Sequence, residues 1–410
     1  MSNKRFAFVV DIKRKKLAPT PEGNAWYLIR KGKAKLLQKA PMVIQLQREI
    51  PDDEIDDSDY VIGIDDGSKH VGIAVVQNCE TKDKTIFKGT TKLRDDVSKK
   101  IETRRGYRRY RRHHKRYRPA RFDNRASSKA KGKIAPSIKQ KKDSILNVIK
   151  KLTSVFPKVT KIILEDVAID IRALQENKPL YRWEYQKSNR LDENLRKAVI
   201  IRDGNACRKC GLTDCKIEVH HIIPRRLKGN DTIDNLISLC KECHEEVKGK
   251  ELQFVAKFQS MIGGKNIRFD YAQHVMQGKN YLRERMSKIA SVDLTTGGDT
   301  ANKRIDLDIE KSHSNDAVVI AGGHETGLYD WIIKPLRKKS KSNGYVVIGF
   351  QCRDIVRYIK KNGNVYKGYI TSLDPKKKSC NITTFDGAQL KRYGLGRLQL
   401  IDRPTKLMWI

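Results

Sequence analysis

The sequence lacks long apolar runs. No stretch approaches the roughly 18 consecutive apolar residues that a membrane-spanning helix requires. The first ten residues, MSNKRFAFVV, are too short and too polar for a secretory signal peptide. We therefore expect a protein that is neither bound to a membrane nor secreted.

Cysteine is scarce as well. The chain contains eight cysteines, and four of them form two C-x-x-C pairs. The other four (Cys79, Cys215, Cys352 and Cys380) are scattered along the chain. This distribution is typical of a reduced cytosolic protein with one metal site, so we expect no disulfides.

Acidic residues are few relative to basic ones. The sequence has 48 Asp and Glu against 86 Lys and Arg, a net charge of +38. This excess is larger than solubility requires, and it predicts a polyanionic partner; with membranes disfavoured, the partner is nucleic acid. The length of 410 residues, of which 38% are hydrophobic, exceeds what one core usually holds and predicts two or more domains.

The two C-x-x-C pairs predict a zinc site. Cys207 and Cys210 are separated by 29 residues from Cys240 and Cys243. Four thiolates suit tetrahedral zinc and leave no position open for a substrate, so this zinc would be structural. Its binding would contribute roughly 10–16 kcal/mol to local folding. The alternative is four free cysteines.

Paired histidines lie between these cysteines. The segment KIEVHHIIP reads as a strand, in which His220 and His221 point to opposite faces. They therefore cannot share one role, and we expect one to bind a metal ion and the other to activate water. His244, which follows Cys243 at the start of a predicted helix, would supply a second ligand beside His220. A plain zinc knuckle is the alternative, and it leaves the histidine pair unexplained.

The sequence V-H-H-I-I-P, then D-N-L, then C-x-x-C-H resembles the ββα-metal HNH nuclease motif. The resemblance implies that His221 is the general base for water attacking a phosphodiester and that His220 and His244 hold one Mg²⁺. Asn235 would steady the site. Because homing endonucleases, restriction enzymes and guided nucleases all use HNH modules, the motif gives the chemistry without naming the substrate.

Acidic residues follow two predicted strands elsewhere in the chain. YVIGIDDGSKHVGIAVV reads as a hairpin with Asp65 at the end of its first strand, and KVTKIILEDVAID reads as a buried strand ending in Glu165, with Asp166 as a competitor. His313 and Asp316 lie three residues apart at the start of an apolar helix. Converging carboxylates suit two Mg²⁺ ions, although a single Asp after a strand is more often a turn residue.

The order of these motifs, I-G-I-D-x-G, then an apolar strand ending in Glu, then H-x-x-D, resembles a RuvC-type nuclease that is split by an HNH module. The resemblance implies an RNase H-like α/β core. It also implies that Asp65, Glu165 and Asp316 hold two Mg²⁺ ions and that His313 belongs to the catalytic set.

An arginine-rich segment, RRGYRRYRRHHKRYRPARFDNR at residues 104–125, carries ten Arg, one Lys and four Tyr or Phe. Its first part is free of proline and is predicted to be helical, and Arg side chains grip phosphates bidentately. A solvated charge run is the alternative, but such runs are usually Lys-rich and poor in aromatics. The predicted nucleic-acid contacts are Arg104, Arg105, Arg108, Arg109, Arg111, Arg112, Arg116, Arg118 and Arg121.

The combination of a split RuvC core, an Arg-rich bridge helix and an inserted HNH module resembles the IscB family over nearly the whole chain. These transposon-encoded OMEGA nucleases are related to CRISPR type II effectors. The resemblance implies a guide RNA (ωRNA) that pairs with one strand of a double-stranded DNA target, while the protein reads a short target-adjacent motif. HNH would cut the guide-paired strand and RuvC the displaced strand. We expect a cytoplasmic prokaryotic monomer, in a 1:1 complex with RNA, that acts at the nucleoid.

The resemblance and the residue pattern together divide the chain into seven segments. The fold class is α/β multidomain, with a split RNase H-like (RuvC) core, an inserted ββα-metal HNH domain with a four-cysteine zinc site, an Arg-rich bridge helix and a small C-terminal β domain. The predicted segments are an N-terminal PLMP-like module (1–50), RuvC part I (51–100), the bridge helix (101–125), RuvC part II (126–185), HNH (186–255), RuvC part III (256–335) and the C-terminal target-adjacent-motif module (336–410).

Two short sequences depart from the family pattern. The N-terminal module reads Leu-Ala-Pro-Thr where the family has Pro-Leu-Met-Pro, and the first RuvC motif reads Asp-Asp-Gly where Asp-Pro-Gly is commoner. We expect the second change to loosen the turn after Asp65 without removing a ligand.

Two other functions fit parts of the sequence. One is an unguided HNH endonuclease of homing type, which would cut specific duplex sites without RNA. The other is a non-catalytic RNA-binding protein descended from such nucleases, which the complete set of catalytic residue types disfavours.

Overall fold

Four β-sheets and nine α-helices make up the part of the chain that the computed structural model describes. The described residues are 4–115, 134–166, 191–229, 232–262, 278–336, 346–360 and 362–410. Each sheet has its own helices or its own buried cluster of side chains. The expected mixed α/β multidomain architecture is therefore confirmed.

The N-terminal sheet contains β1 (Phe6–Val10), β2 (Lys16–Pro21), β3 (Ala34–Gln38) and β4 (Val43–Leu46) in the order β2-β1-β4-β3. Helix α1 (Glu22–Arg30) connects β2 to β3. The divergent Leu-Ala-Pro-Thr sequence lies in β2, which is an edge strand, and a proline without a backbone N–H is tolerated there.

A seven-stranded sheet forms the centre of the molecule, in the order β11-β8-β5-β6-β7-β12-β18. Strands β5, β6 and β7 are antiparallel, β8 and β11 run parallel to β5, β12 runs parallel to β7, and β18 is antiparallel to β12. The strands are β5 (Tyr60–Asp65), β6 (His70–Gln77), β7 (Lys84–Lys92), β8 (Val159–Glu165), β11 (Ser291–Thr295), β12 (Asp330–Pro335) and β18 (Leu407–Trp409).

One face of this sheet packs against helix α3 (Pro136–Thr153), whose Ile149 is fully buried. The Phe156 ring, just beyond the helix, lies 4.9 Å from the Phe8 ring of the N-terminal sheet and 5.2 Å from the Tyr60 ring of β5. The N-terminal sheet and the central sheet thus share one apolar core.

Helix α9 (His313–Ile320) lies closely against strands β5 and β6. Two strand glycines permit this approach. A Cβ at Gly63 would lie 2.1 Å from the Ala317 carbonyl oxygen, and one at Gly72 would lie 1.7 Å from the His313 carbonyl oxygen. The glycines therefore set the depth at which the first turn of α9 meets the end of β5.

The HNH segment lies in sequence between β8 and β11. It contains α4 (Leu191–Arg202), β9 (Ile217–His221), β10 (Leu236–Cys240), α5 (Lys241–Val247) and α6 (Glu251–Ile262), and α6 extends beyond the predicted boundary at residue 255. Strands β9 and β10 form an antiparallel two-stranded sheet. The predicted strand through the histidine pair is thus confirmed, whereas the following helix begins at Lys241, about one turn earlier than expected.

The C-terminal sheet is antiparallel throughout, in the order β16-β15-β14-β13-β17. Its strands are β13 (Ile355–Ile359), β14 (Val365–Asp374), β15 (Ser379–Thr384), β16 (Gln389–Gly394) and β17 (Leu398–Asp402). After β17 the chain returns to the central sheet as β18. The interval 336–410 therefore contributes strands to two sheets.

The arginine-rich segment begins as helix α2 (Val97–His113), and all of its arginine side chains are exposed. Arg104, Arg105, Arg108, Arg109, Arg111 and Arg112 lie on this helix. The predicted contacts Arg116, Arg118 and Arg121 lie outside the described residues. Within the described ranges, no helix has both the length and the apolarity needed to cross a bilayer.

Candidate active sites and a candidate zinc centre

The ends of two parallel strands bring Asp65 and Glu165 to the same edge of the central sheet. In the register of β5 with β8, Ile64 lies beside Leu164, so the next residue on each strand is the predicted acid. Carboxyl ends of neighbouring parallel strands are a common location for sites in α/β folds.

Helix α9 delivers the other two predicted residues, His313 and Asp316, on its first turn. The helix starts there because Ser312 is its N-cap: the Asn315 N–H donates to the Ser312 hydroxyl at 3.1 Å. His313 Nδ1 lies 2.5 Å from Asp65 Oδ2. The structure therefore brings together residues that are separated by about 250 positions in the sequence.

Each strand-end acid is followed by a second acid that pairs with a buried lysine. Asp66 pairs with Lys142 of α3, and Asp166 pairs with Lys279 of helix α7 (Lys279–Met286). The pairing leaves Glu165, rather than Asp166, as the acid near Asp65. The Asp66 side chain, at the turn that was expected to be loosened, is almost completely buried and held by this ion pair.

The acids strongly affect one another's protonation. Burial, and then the charges of Asp65 and Asp316, raise the pKa of Glu165 to about 8. Burial and Asp65 raise the pKa of Asp316 to about 6. A hydrogen bond with Asp65 raises the pKa of His313. Clustered carboxylates of this kind repel each other until a cation or protons neutralise them.

This cluster has the donor chemistry that Mg²⁺ prefers. Asp65, Glu165 and Asp316 supply carboxylate oxygens. Asp316 Oδ1 is buried and accepts no aligned hydrogen bond from the described residues, although Arg304 Nε lies 3.0 Å from it. The residue types present therefore fit the predicted Mg²⁺ site, although the donor atoms of Asp65, Glu165 and Asp316 do not all lie within 4.8 Å of one another.

The stability of the metal-free protein should depend on the protonation of Glu165. Because its pKa is raised in the folded state, the folded protein holds this proton more tightly than the unfolded chain does. The resulting stabilisation is complete below the ordinary pKa of a glutamate and is lost as the pH rises through about 8. In Mg²⁺-free buffer that leaves the zinc bound, the Tm of the protein relative to Glu165→Gln should therefore fall by a few degrees between about pH 5 and pH 8.5.

Thermal unfolding followed by circular dichroism measures this difference. Mg²⁺ at pH 8.5 should restore the Tm of the unmodified protein and leave that of Glu165→Gln nearly unchanged. A Tm difference that does not vary with pH would contradict the raised pKa.

Gly297 lies against the Glu165 carboxylate at the start of helix α8 (Gly297–Asp306). A Cβ at this position would lie 2.7 Å from Glu165 Oε1. For the nuclease activity expected from the sequence, Gly297→Ala should therefore displace the Glu165 carboxylate and lower the cleavage rate on the order of 10²-fold, while the fold is retained. Gly298→Ala is the matched control, since its Cβ would meet only Thr296 Oγ1, at 3.8 Å. Equal cleavage rates for the two variants would exclude the positioning of Glu165 by Gly297.

The HNH segment brings His220 and His244 together. Their rings lie 4.8 Å apart, one on β9 and one on α5. His220 Nε2 is buried and has no hydrogen-bond partner among the described residues, and His244 Nδ1 lies 2.8 Å from Glu218 Oε2. Two imidazoles and a nearby carboxylate fit a divalent cation, although imidazole donors are more usual for transition metals than for Mg²⁺.

Asn235 fixes the loop that follows β9. Its Oδ1 accepts the Ile223 N–H at 2.9 Å, and its Nδ2 donates to the Ile223 carbonyl at 3.0 Å. His221 precedes this clamped peptide by two residues and pairs with Leu236 in the register of the hairpin. Asn235 thus holds the backbone close to His221.

The four predicted cysteines meet in one cluster. Cys207, Cys210, Cys240 and Cys243 form the only group of three or more metal-ligand side chains in the described ranges whose donor atoms all lie within 4.8 Å of one another. The Sγ atoms of Cys210 and Cys240 are 3.8 Å apart, which matches the edge of a tetrahedron with Zn–S bonds of about 2.3 Å. The cluster fits a zinc ion.

The thiols of this cluster have unequal acidities without a metal. Burial opposes ionisation of Cys207, but backbone hydrogen bonds from Cys210 and Cys240 outweigh it and lower the pKa of Cys207 to about 6. Burial and the neighbouring thiols raise the pKa of Cys243. A bound cation would favour the thiolate form of all four residues.

Some residues near these sites carried no recognisable sequence signal. Glu218 precedes His220 by two positions on strand β9, so the two side chains lie on the same face of the strand. This spacing was the only indication in the sequence that Glu218 lies near the site. Lys142, Lys279 and Arg304 looked like three of the 86 basic residues of a basic surface. They are buried instead, and each pairs with an acid. Lys142 and Lys279 pair with Asp66 and Asp166, which are distant in the sequence, and Arg304 pairs with Asp316 of the candidate metal site.

Two family matches cover most of the chain before residue 251. Residues 7–188 match the family described as RRXRR protein, and residues 207–250 match the HNH endonuclease family. A stretch of 67 residues, 16% of this chain, is 37% identical to the type IV methyl-directed restriction enzyme EcoKMcrA of Escherichia coli (strain K12) and spans 21% of that enzyme.

Among solved structures, Streptococcus thermophilus Cas9 in complex with the GGAA PAM is similar over 57% of this chain and 32% of Cas9, at 12% identity and a TM-score of 0.23. The type II-C Cas9 of Actinomyces naeslundii is similar over 45% of this chain and 27% of its own, at 15% identity and a TM-score of 0.18. The chain spans about a third or less of each of these relatives. An RRXRR region followed by an HNH endonuclease domain fits an IscB-like protein.

Proposed function

We propose that this chain is an RNA-guided, Mg²⁺-dependent DNA endonuclease with two active sites, in which HNH cuts the guide-paired strand and a RuvC-type site cuts the displaced strand. One observation carries the proposal. Asp65, Glu165 and the helix bearing His313 and Asp316 meet at one edge of the central sheet, and the HNH segment is inserted between the second and third of these elements.

The central sheet supports an RNase H-like assignment. Its strands β7, β6 and β5 form an antiparallel meander, and β8 and β11 continue from β5 in parallel. The three carboxylates at its edge would hold two Mg²⁺ ions, which stabilise the attacking and leaving oxygens of a phosphodiester when bound. His313 would exchange a proton with water at Nε2, since its Nδ1 is held by Asp65.

The HNH hairpin supports a one-metal site. His220 and His244 would hold the cation, Glu218 would orient His244 through Nδ1, and Asn235 would keep the loop after His221 in place. His221, on the other face of the strand from His220, would take the proton from water as it attacks phosphorus.

Helix α2 supports contacts with RNA or with a guide–target duplex. Its exposed arginines form a basic surface with Tyr107 and Tyr110, which are also exposed. We infer that the guide RNA (ωRNA) supplies sequence recognition by pairing and that the C-terminal sheet contacts the target-adjacent motif. A monomer in a 1:1 complex with RNA would suffice for this arrangement.

The test begins with the nucleic acid bound to the protein in its native genetic setting. Sequencing should find one abundant RNA with defined ends and a variable segment that matches DNA near the gene. The reconstituted complex should then cut both strands of a matching duplex in Mg²⁺ and leave a mismatched duplex intact.

An unguided endonuclease is the second candidate, because 67 residues of the chain are 37% identical to a restriction enzyme. It predicts that RNA-free protein cuts specific duplex sites in Mg²⁺. Random cellular RNA in the purified protein, together with cleavage that needs no RNA, would favour this candidate over guidance.

A further inference from the structure

Arg304 joins the candidate site of the central sheet to the HNH segment. It lies on α8 with its side chain only 3% exposed. Its Nε lies 3.0 Å from Asp316 Oδ1 at the edge of the central sheet, and its Nη1 lies 2.6 Å from Asp214 Oδ1 of the HNH segment. One guanidinium therefore touches a carboxylate from each module.

A second ion pair joins the same two elements. Asp214 and Lys216 lie between the second cysteine of the zinc cluster and β9, and Lys216 Nζ is 2.8 Å from Asp306 Oδ1 on α8. In one pair the acid belongs to the HNH segment and the base to α8, and in the other pair the arrangement is reversed. The loop Asp214-Cys215-Lys216 therefore faces Arg304 and Asp306 of α8. Asp214 is 50% exposed and the Lys216–Asp306 pair is exposed at both ends, so the contact is readily reversible.

The Arg304 guanidinium contacts three oxygen acceptors, and its contact with Asp316 is not an aligned hydrogen bond. Arg304 Nη1 also donates to the Ile309 carbonyl at 3.2 Å. Arg304 Nε and Asp316 Oδ1 are close, yet both lack an aligned hydrogen bond within the described residues. Without Asp214, the guanidinium would be able to rotate into a bidentate pair with Asp316, the geometry that Arg and carboxylate groups prefer.

We propose that Arg304 is a positioning residue for Asp316 and that Asp214 of the HNH segment sets its position, so that docking of the Asp214–Lys216 loop on α8 limits Arg304 to one unaligned contact with Asp316 Oδ1. Undocking would let Arg304 form a bidentate pair with Asp316 and compete more strongly with the cation. The position of one nuclease module thus controls the metal affinity of the other. This inference rests on the proposed two-site function.

Asp214→Asn and Arg304→Met test the two halves of this contact in the full ribonucleoprotein, with each strand of the target duplex labelled separately. Asp214→Asn should raise the Mg²⁺ concentration for half-maximal cleavage of the displaced strand by about three- to tenfold, since it frees Arg304 to pair with Asp316. Arg304→Met should lower that Mg²⁺ requirement, because the competing cation is gone, and should also lower the maximal rate. Cleavage of the guide-paired strand should keep its Mg²⁺ dependence in both variants.

Lys303→Met is the matched control, since it removes one positive charge from an exposed position on the same helix. A merely structural role of Arg304 would lower cleavage of both strands without moving the Mg²⁺ requirement in opposite directions. The inference is overturned if Asp214→Asn leaves the Mg²⁺ requirement unchanged or shifts it equally for both strands. If Arg304→Met does not fold, Asp214→Asn alone decides.

Mn²⁺ binding gives a second readout that does not depend on cleavage. Electron paramagnetic resonance should show weaker Mn²⁺ binding in Asp214→Asn at the ions that Asp65→Asn removes, and unaltered binding would count against the inference. Failure of the unmodified complex to cut either strand would count against the proposed function, whereas Mn²⁺ binding would still report on Arg304.

Discussion

His221→Ala should lower cleavage of the guide-paired strand by about 10²–10⁴-fold, while the displaced strand is still cut. The imidazole of His221 is the proposed base for the attacking water, and alanine provides no replacement. His220 and His244 remain to hold the cation, so binding of the duplex should be preserved. Strand-specific labelling of the duplex measures the two rates separately.

Asp65→Ala should produce the opposite result, abolishing cleavage of the displaced strand and sparing the guide-paired strand. This substitution removes both a proposed ligand of Mg²⁺ and the partner of His313 Nδ1. The remaining acids, Glu165 and Asp316, cannot enclose two cations without it.

His324→Ala is the control for both variants, since this histidine is exposed and has no proposed role. It should cut both strands at the unmodified rate. If His221→Ala still cuts the guide-paired strand normally, the assignment of that strand to HNH is wrong, and the same reasoning applies to Asp65→Ala and the displaced strand.

Removal of zinc should unfold the HNH segment and leave the central sheet folded. The apolar cluster of this segment is small, and Cys207, Cys240 and Cys243 are three of its nine buried residues. Structural zinc contributes roughly 10–16 kcal/mol, which is as large as the whole stability of a typical domain. Cys240→Ser should therefore lose guide-paired-strand cleavage completely.

Hydrogen exchange measured by mass spectrometry locates this unfolding. Protection should disappear across β9, β10 and α5 after chelation or in Cys240→Ser, and should persist in β5 and β8. Cys215→Ser is the control, because Cys215 is close to the cluster yet is not one of its four members. Retention of zinc and protection by Cys240→Ser would exclude a structural role of the metal.

Much of the site could be predicted because local sequence determines it. Asp65 and Glu165 are each the last residue of an apolar strand, so the end of the strand determines where the carboxylate lies. Ser312 likewise starts the helix that carries His313 and Asp316. The two C-x-x-C pairs likewise determine a cysteine cluster by their spacing. In each case a short stretch of chain decides both the element and the position of the side chain within it.

The buried cations could not be predicted, because their burial depends on partners that are distant in the chain. Lys142 pairs with Asp66 across 76 positions, and Lys279 pairs with Asp166 across 113. Arg304 contacts the HNH loop only because the central sheet and the inserted segment pack against each other. In a chain with a net charge of +38, no local pattern separates these three from the solvent-exposed majority.

The last strand of the central sheet has a consequence for biogenesis. Strand β18 pairs with β12, and its Trp409 ring packs against Phe87 and Trp331 at 5.9 and 6.3 Å. During translation, the zinc ligands and the whole C-terminal sheet leave the ribosome before this strand does. The zinc-binding HNH segment can therefore fold while strand β12 of the central sheet still has an unpaired edge. Unpaired edges of this kind can pair with strands of other chains. Pairing of Leu407–Trp409 with β12 covers that edge, so a chain truncated before Leu407 would expose an aggregation-prone strand edge that this pairing otherwise covers.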